Sequence, residues 1–547
     1  MDTKSVINKS NQRRIRMTST TQMLEQGRKA EIWTKYCGFF DLSVDDFMEI
    51  QNRLLLEQLY ILHGSQIGKK LLGEKTPKSI EEFRCNVPLT KYGDYADFLL
   101  ERREDGLPVK PFMWSRTSGR SGEYECKWVP YTREMYDHLG EITVGAMILA
   151  SCKYKGDVSL AVNDRVLLAT APPPYVSGLL SRSTEEQMAL KFLPPIAVGE
   201  KMDYAERIAL GFKLALREGM DYFYGIASVL VRMGQQFEQG SGKTKFSLDM
   251  LHPSVLSRVL RGAAIARLNK RAMLPRDIWS LKGIMTGGTD TVVYKDKIEY
   301  YWGRKPLEGY ACTEGGTMAM QAWNCKGMTF VPDAVFLEFI PYSEYQKNKL
   351  DPSYQPSTRL MSELEPGIYE LVFTNFYGGV FTRYRVGDLF EVIAMRDDEL
   401  GVALPQFRFY SRADDIIDLS GFARLTEKAI WQSIQMTGLS YQDWVARKEV
   451  VNGKSVLHLY IELKAQQDVV EKDEVIEGIK QGLRNIIPEV NDLENILGNN
   501  YLLITWLPPD SFANYMKAQQ LAGADLAHIK PPHMQPSDKI MQRLLPV

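Results

Sequence analysis

Residues 114–123 combine small hydroxylated side chains with glycines, in the order Trp-Ser-Arg-Thr-Ser-Gly-Arg-Ser-Gly-Glu. Glycine lets backbone N–H groups approach phosphate oxygens closely, and successive N–H groups can form a concave anion site. Lys127 lies just beyond this segment and adds a mobile positive charge. Loops of this composition are also common turns. The segment beginning at Thr117 therefore indicates phosphate binding only weakly by itself.

Three later segments place acidic groups beside small residues or arginine. In Tyr-Ala-Cys-Thr-Glu-Gly-Gly, residues 310–316, Glu314 could hold magnesium against phosphate. In Tyr-Arg-Val-Gly-Asp, residues 384–388, Asp388 follows a predicted strand and could accept both hydroxyls of a ribose. The third segment, Ser-Arg-Ala-Asp-Asp, spans residues 411–415. Each segment by itself also has a purely structural interpretation. Residues 310–316 could be a turn with an exposed acid, residues 384–388 a capped turn with an ion pair, and residues 411–415 a charged linker.

The elements that must position these segments change in pattern along the chain. Residues 1 to about 110 predict helices, because apolar residues recur at helical spacing between Phe47 and Leu62. Residues from about 115 to 340 mix short apolar runs with helical segments, which is typical of α/β layers. The apolar runs predict strands at residues 158–162, 226–231 and 335–340.

Strands are predicted at residues 369–374 and 389–393, on either side of a glycine-containing turn.

The chain after residue 415 predicts a second unit. After residue 415 the pattern restarts, with a helix, a strand and an amphipathic helix at residues 427–436, 456–463 and 474–486. A chain of 547 residues is too long for one ordinary core. We therefore predict an N-terminal domain of residues 1–415 and a C-terminal domain of residues 416–547.

Composition and charge limit the classes of partner. The chain has 67 basic and 68 acidic residues, so no bulk field favours nucleic acid or an anionic membrane. Its six cysteines form no CxxC pair, and no His/Cys cluster has zinc spacing. The polar N-terminus lacks the apolar region of a secretory signal, and the apolar stretch 142–152 is too short to cross a bilayer. We expect a cytoplasmic protein with reduced thiols and no nucleic-acid or membrane partner.

The order of the motifs is more specific than any one of them. A phosphate loop, Tyr-x-x-Thr-Glu, Tyr-Arg-x-Gly-Asp and Arg-x-Asp-Asp before a small C-terminal domain resemble the adenylate-forming superfamily. Within it, the chain resembles the auxin-responsive Gretchen Hagen family of acyl acid amido synthetases over nearly its whole length. The segments that carry this resemblance are 85–92, 274–279, 286–288, 310–316, 521–524 and 528–533.

The resemblance implies a fold and a set of site residues. The fold is α/β, with a large adenylate-forming N-terminal domain of α/β layers and a β-barrel-like subdomain, and a smaller, mobile α+β C-terminal domain. Glu314 would hold Mg²⁺, Lys530 would act in catalysis together with Glu314, and ATP would be the nucleotide. The ATP-binding residues would be Ser118, Gly119, Ser121, Gly122, Gly287, Gly288, Tyr310, Ala311, Thr313, Asp388 and Arg412.

The implied reaction is a ligase reaction in two steps. A carboxylate is a poor electrophile because its charge opposes nucleophilic attack, and transfer of AMP converts it into a mixed anhydride. The phosphoryl chemistry depends on positioning and charge stabilisation. The ammonium of Lys530 could neutralise charge that develops between the carboxylate and the α-phosphate. The acyl-adenylate would then pass to an amine, with an amino acid as the expected acceptor, to give an amide.

Two alternatives remain open at this stage. An acyl-CoA ligase, or an enzyme that loads a carrier protein, would share the adenylation step and differ only in the second nucleophile. A non-catalytic nucleotide-binding relative is a different class. Arg120, which stands where the superfamily usually has threonine, keeps that class open, whereas Glu314, Asp388 and Lys530 argue against it. The sequence does not name the acid or the amine.

Overall fold

A computed structural model describes residues 19–117, 124, 126–240, 252–287, 290–419, 423–451, 454–464, 471–487, 490, 501–521 and 533–545. The described chain is helical between residues 20 and 99, as predicted, and residues 1–18 of that prediction lie outside the described residues. Its helices are α1 Thr20–Glu25, α2 Lys29–Cys37, α3 Val44–His63, α4 Gln66–Leu72, α5 Ile80–Asn86 and α6 Ala96–Leu99.

The longest of these helices, α3, is joined to a strand by the buried side chain of Gln51. Ser43 caps it by accepting a hydrogen bond from the Asp46 N–H. The Gln51 amide donates to Val335 O at 2.8 Å and accepts from Leu337 N at 2.8 Å. Both polar ends of this buried side chain are thus satisfied, which fixes the helix against a strand edge.

The strands before residue 413 are β1 Met113–Arg116, β2 Trp128–Tyr131, β3 Arg165–Ala169, β4 Lys191–Leu193, β5 Tyr222–Ile226, β6 Gly283–Gly287, β7 Leu307–Cys312, β8 Gly316–Gln321, β9 Met328–Phe330, β10 Val335–Pro341, β11 Gly367–Asn375, β12 Tyr384–Ala394 and β13 Gln406–Arg412. Eleven of the described strands form one sheet in the order β10-β11-β12-β13-β9-β8-β7-β6-β5-β3-β4.

The sheet has a parallel half and an antiparallel half. Strands β4, β3, β5, β6 and β7 are parallel neighbours, and every pairing from β7 through β8 to β10 is antiparallel. The helices between and around these strands are α7 Arg133–Ser151, α8 Val176–Gln187, α9 Ile196–Gly199, α10 Tyr204–Glu218, α11 Ala227–Gly240, α12 Pro253–Leu268, α13 Pro275–Ile278, α14 Asp290–Trp302 and α15 Tyr342–Leu350. Ligands of such folds bind beyond the carboxyl ends of the parallel strands.

The strand predictions in this region are partly right. The run 335–340 is strand β10, but residues 158–162 form the loop before β3. The run 226–231 was predicted as a strand, yet β5 ends at Ile226 and helix α11 begins at Ala227. A short apolar run fits a buried strand and a buried helix equally well, so periodicity cannot separate them.

The chain after residue 416 packs around a hydrophobic core of its own, which begins at Ile417 and includes Trp444 and Ile479. Its strands are β14 Ile417–Leu419, β15 Ala423–Leu425, β16 Tyr441–Val451, β17 Lys454–Leu463 and β18 Leu502–Leu507, and its helices are α16 Glu427–Met436, α17 Lys472–Ile486, α18 Ser511–Leu521 and α19 Asp538–Leu544. The elements predicted at 427–436, 456–463 and 474–486 are confirmed. The boundary at residue 415 stays a prediction.

Within the described ranges, no helix is both long enough and apolar enough to cross a membrane.

Candidate functional site

The turn between β7 and β8 carries Glu314 and is fixed from two sides. The Tyr131 hydroxyl donates to Thr313 O at 2.7 Å, and the Asn375 amide donates to Glu314 O at 3.0 Å. Gly316 has a φ of +72°, a conformation that glycine adopts without strain. The turn is therefore held in one conformation by side chains that come from β2 and β11.

The carboxyl group of Glu314 is buried inside this site. Its side chain is only 6% exposed, and Oε1 accepts a 3.2 Å hydrogen bond from the Tyr384 hydroxyl. Burial raises the pKa of Glu314, whereas the charge of Lys127 and the bond from Tyr384 lower it and the charge of Asp388 raises it further. Two acidic side chains that influence each other in a buried setting create a local preference for a cation.

Asp388 lies inside β12, next to a bulge. Prediction placed it after a strand, but β12 continues to Ala394, so that placement was wrong. The pairing of β11 with β12 shifts register beside it, and Gly387 has a φ of +79°. Bulges of this kind redirect side chains and recur beside active sites. The bulge therefore explains how a residue in mid-strand can present its carboxylate to a site.

The partners of Asp388 come from two other strands of the sheet, β7 and β13. The Tyr310 hydroxyl donates to Oδ2 at 2.6 Å, and Arg412 Nε lies 3.8 Å from Oδ1. Arg412 is also the residue directly opposite Asp388 across the β12–β13 pair. Three of the residues predicted to bind nucleotide thus meet at one point.

Tyr310 and Ala311 face opposite sides of β7. The Tyr310 ring is buried, packing edge-on against Phe390 at 4.7 Å and stacking with Phe409 at 6.3 Å between centroids. Ala311 is exposed, so β7 presents a small side chain to solvent there. Gly287 ends the adjacent parallel strand β6, which places it at the carboxyl edge of the sheet.

The predicted phosphate loop begins at the end of a hairpin. Strands β1 and β2 pair antiparallel up to Arg116 and Trp128. Beyond them, Thr117 N donates to Lys127 O at 2.9 Å, and Lys127 N donates to Thr117 Oγ1 at 3.0 Å. The described hairpin therefore fixes both ends of the loop.

Several predicted site residues lie outside the described part of the chain. They are Ser118, Gly119, Arg120, Ser121, Gly122, Gly288 and Lys530. Their roles stay predictions.

Four residues act on Glu314 or its turn in ways that the sequence does not predict. They are Lys127, Tyr131, Asn375 and Tyr384. Lys127 Nζ lies 5.3 Å from the centroid of the Tyr92 ring, and its charge acts on Glu314. Tyr131 and Asn375 fix the Glu314 turn through backbone oxygens. No local motif marks such contacts, because each joins segments that are far apart in sequence. Tyr384 belongs to a recognised motif, but its bond to Glu314 becomes visible only in the fold.

The arrangement suits a cation that is shared with a ligand. Among the described residues, no group of three or more His, Cys, Asp and Glu side chains could hold a metal ion. Magnesium in phosphate sites commonly uses one or two carboxylates and completes its coordination with phosphate oxygens and water. Glu314 fits that pattern and does not fit a resident metal cage.

Comparison with known families identifies the family of the chain. The model of the GH3 family N-terminal domain matches residues 37–240, and that of the GH3 family central domain matches residues 328–412. Together they cover more than half of the chain. The chain belongs to the GH3 family. The resemblance to the Gretchen Hagen family is thereby confirmed.

Solved structures of other proteins show a similar fold. A structure of AtGH3.15 acyl acid amido synthetase in complex with 2,4-DB is 16% identical in sequence to this GH3 chain, with a TM-score of 0.65. The match covers 93% of this chain and 95% of the AtGH3.15 chain. One of 2-hydroxyisobutyryl-CoA ligase in the postadenylation state in complex with 2-HIB-AMP is 16% identical with a TM-score of 0.55, covering 86% and 88%. No curated protein sequence matches the chain significantly. These structural matches confirm the predicted fold class.

Proposed function

We propose that this GH3 protein activates a carboxylic acid with ATP as an acyl-adenylate and transfers the acyl group to an amine, with an amino acid as the expected acceptor. The observation that carries the proposal is the buried cluster of Glu314, Asp388 and Tyr310 in a GH3 fold, with the partly exposed Arg412 beside Asp388. The relative named acyl acid amido synthetase supports the amide as product.

The two steps balance without any further reagent. In the first, a carboxylate oxygen attacks the α-phosphorus of ATP, and the bond to the pyrophosphate oxygen breaks. In the second, the amine nitrogen attacks the acyl carbon, AMP leaves with the shared oxygen, and the nitrogen loses a proton. The protein contributes positioning and compensation of charge in both steps.

In this proposal, each of the described side chains contacts a different part of the nucleotide. Asp388 accepts hydrogen bonds from the ribose hydroxyls, and the hydrogen bond from Tyr310 fixes the orientation of the Asp388 carboxylate. Arg412 lies beside Asp388 and contacts the nucleotide near the hinge. The predicted ATP-binding residues that complete the site are Ser118, Gly119, Ser121, Gly122, Gly287, Gly288, Ala311 and Thr313.

Magnesium would be held by Glu314 when ATP is bound. The ion would neutralise phosphate charge. Because Glu314 supplies a single carboxylate, phosphate oxygens and water would provide most of the ligands of the ion. Lys127, whose charge already acts on Glu314, would add a second positive charge near the phosphates.

Lys530 would act on the adenylation step from the C-terminal domain. Its ammonium would neutralise charge between the carboxylate and the α-phosphate. This assigns residues 416–547 to a domain that moves between the two steps, and domain motions of this kind can limit turnover. A cytoplasmic location and partners restricted to small molecules complete the proposal.

The test of adenylation is acid-dependent release of pyrophosphate. The purified chain receives ATP, Mg²⁺ and a panel of carboxylic acids that includes 2,4-DB, the ligand named for one relative. Lys530→Ala should lower the release rate by ~10²–10³. Lys517→Ala, which removes an exposed lysine of α18 in the same domain, is the matched control and should leave the rate unchanged. Equal rates for Lys530→Ala and the unmodified chain would remove Lys530 from the mechanism.

Product analysis decides the second nucleophile. The alternative of thioester formation is favoured by the fold match to 2-hydroxyisobutyryl-CoA ligase. The chain is given ATP and an active acid, with either amino acids or CoA, and the products are identified by mass. An amide supports the proposal, and a thioester without amide supports the alternative. ATP binding with no acid that stimulates pyrophosphate exchange would instead support a non-catalytic nucleotide-binding protein.

A further inference from the structure

Residues 533–535 return to the C-terminal sheet directly after the segment that contains Lys530. Ala446 N donates to His533 O at 2.6 Å, and Gln535 N donates to Ala446 O at 2.8 Å. Met534 thereby pairs with Ala446 of β16 in a parallel bridge. The backbone at this point is fixed to a strand that belongs to the core of the C-terminal part.

The side chain of His533 makes a second attachment at the same place. Its Nδ1 lies 2.7 Å from Glu427 Oε1, and its Nε2 lies 2.8 Å from Asp443 Oδ1. The imidazole ring stacks on Trp444 at 4.5 Å and meets the edge of Trp431 at 5.3 Å. The ring is therefore buried between two indoles and bonded to two acids from different elements, α16 and β16.

The protonation state of His533 follows from these partners. Carboxylates accept hydrogen bonds, and only the imidazolium has an N–H donor on both ring nitrogens. Glu427 and Asp443 are the charged groups that face the ring. Burial lowers the pKa of His533, but the two acids outweigh it and raise the pKa to about 9. The double attachment is thus complete at neutral pH and loses one hydrogen bond in alkaline solution.

We propose that His533 is a positioning residue, which fixes the C-terminal end of the segment that presents Lys530 to the adenylation site. This inference rests on the proposed function of Lys530. The two residues are three positions apart, so their Cα atoms lie within about 11 Å of each other. The two residues between them are prolines, each of which has a fixed φ. A displacement of His533 would therefore be passed on to Lys530, and misplacement of a catalytic group by about 1 Å can cost ~10² in rate.

Glu427→Gln separates this role from ordinary packing. A glutamine at 427 can donate its amide N–H to Nδ1 of a neutral imidazole, while Nε2–H still donates to Asp443. The variant should therefore keep the attachment when His533 loses its proton, so that the alkaline weakening disappears. His533→Ala removes the attachment at every pH. Glu449→Gln is the matched control, because Glu449 lies 2.8 Å from His458 in the same domain, away from the lysine segment.

The first measurement needs no substrate. Backbone amide hydrogen exchange is followed by mass spectrometry at pH 7, 8, 9 and 10 in peptides that contain Gln535 or Ala446, whose amide groups form the bridge, with rates divided by the intrinsic exchange rates. In the unmodified chain and in Glu449→Gln, protection should fall at least about fivefold between pH 8 and 10. In Glu427→Gln it should stay within about twofold. Equal loss of protection in Glu427→Gln and the unmodified chain would overturn the inference.

The second measurement is acid-dependent release of pyrophosphate over the same pH range, with the panel acid that gives the fastest release. The unmodified chain should lose about tenfold in kcat between pH 8 and 10, with KM for ATP constant within about twofold. Glu427→Gln should retain its kcat to higher pH, whereas Glu449→Gln should follow the unmodified chain. The same alkaline loss in all three proteins would exclude the positioning role. If no acid supports release, the proposed function fails, and the hydrogen exchange still decides whether His533 anchors the segment.

Discussion

The hydroxyl of Tyr310 donates a 2.6 Å hydrogen bond to Oδ2 of Asp388, although 78 residues separate the two in sequence. The Tyr310 ring cannot turn freely, because Phe390 and Phe409 pack against it. Asp388 is held from its other side by the nearby guanidinium of Arg412. In the proposed function this pair fixes the orientation of the carboxylate that accepts the ribose hydroxyls.

Tyr310→Phe should weaken ATP binding without impairing the chemical step. The variant keeps the packed ring and loses only the donor to Asp388. A hydrogen bond to a charged acceptor contributes about 1.5–3 kcal/mol, and a part of this loss transferred to ribose binding would raise KM for ATP roughly three- to tenfold. The kcat for pyrophosphate release should change by less than about twofold. Initial rates over a range of ATP concentrations measure both.

Tyr369→Phe is the control for this variant. The Tyr369 hydroxyl also lies in the antiparallel half of the sheet, but it donates to the backbone oxygen of Glu365 at 3.0 Å. Its removal should leave KM for ATP unchanged. If Tyr310→Phe behaved like Tyr369→Phe, the orientation of Asp388 would not depend on Tyr310.

Glu314→Gln should raise the concentration of Mg²⁺ that is needed for activity. The glutamine oxygen can still accept the bond from Tyr384, so the turn should keep its shape, but the negative charge is lost. We expect the Mg²⁺ concentration at half-maximal pyrophosphate release to rise at least about tenfold, which corresponds to a loss of ~1.4 kcal/mol in binding free energy. A titration of Mg²⁺ at saturating ATP measures the shift.

Glu308→Gln provides the comparison, at a glutamate of the strand that leads into the Glu314 turn. Glu308 lies near the start of β7, where Lys295 is 3.9 Å away, and it carries no predicted site role. Its replacement should leave the Mg²⁺ dependence unchanged. An unshifted titration for Glu314→Gln, together with unchanged activity, would remove the metal role from that residue.

The sequence predicts the parts of this molecule that depend on local pattern. Helix α16 begins and ends at the predicted residues, Glu427 and Met436, because its apolar positions recur at helical spacing and Thr426 caps it. Strand β10 follows from one long apolar run. The run 226–231 fails, because Ile226 ends a strand and Ala227 starts a helix within one continuous apolar stretch.

The candidate site shows a similar limit. Glu314 and Asp388 can be found from motifs, since glycines and aromatic residues at fixed offsets accompany them. The contact of Asn375 with the Glu314 backbone cannot be found that way, because it joins β11 to the turn after β7 through tertiary packing. The bulge at Gly387, which places Asp388 in mid-strand, also depends on the pairing of β11 with β12.

Breaking the buried ion pair between Arg383 and Glu338 should be strongly destabilising. Both side chains are almost fully buried, with a distance of 2.7 Å between Arg383 Nη2 and Glu338 Oε1. Arg383, the residue before β12, also donates to the backbone oxygen of Val87, the residue after α5. Glu338→Gln leaves the guanidinium without its charge partner, which typically costs about 3–5 kcal/mol. The midpoint of urea unfolding, followed by tryptophan fluorescence, should fall accordingly.

Glu391→Gln tests whether that loss is due to burial. Glu391 pairs with Arg408 at the same 2.7 Å, but Arg408 is half exposed. Exposed pairs contribute about 0–1 kcal/mol, so the midpoint should hardly move. Similar shifts of the unfolding midpoint for Glu338→Gln and Glu391→Gln would show that burial does not increase the contribution of the Arg383–Glu338 pair to stability.

The stabilising effect of His533 should depend on pH in a defined direction. Its pKa in the folded protein is about 9, above the ordinary value of about 6.5 expected in the unfolded chain. The contribution is therefore complete below about pH 6.5 and is lost as the pH rises to about 9, an effect of roughly 3 kcal/mol at most. The melting temperature of the unmodified chain minus that of His533→Gln should be largest near pH 6 and smallest near pH 9.5. A difference that is constant with pH would mean that the imidazole of His533 is not charged between Glu427 and Asp443.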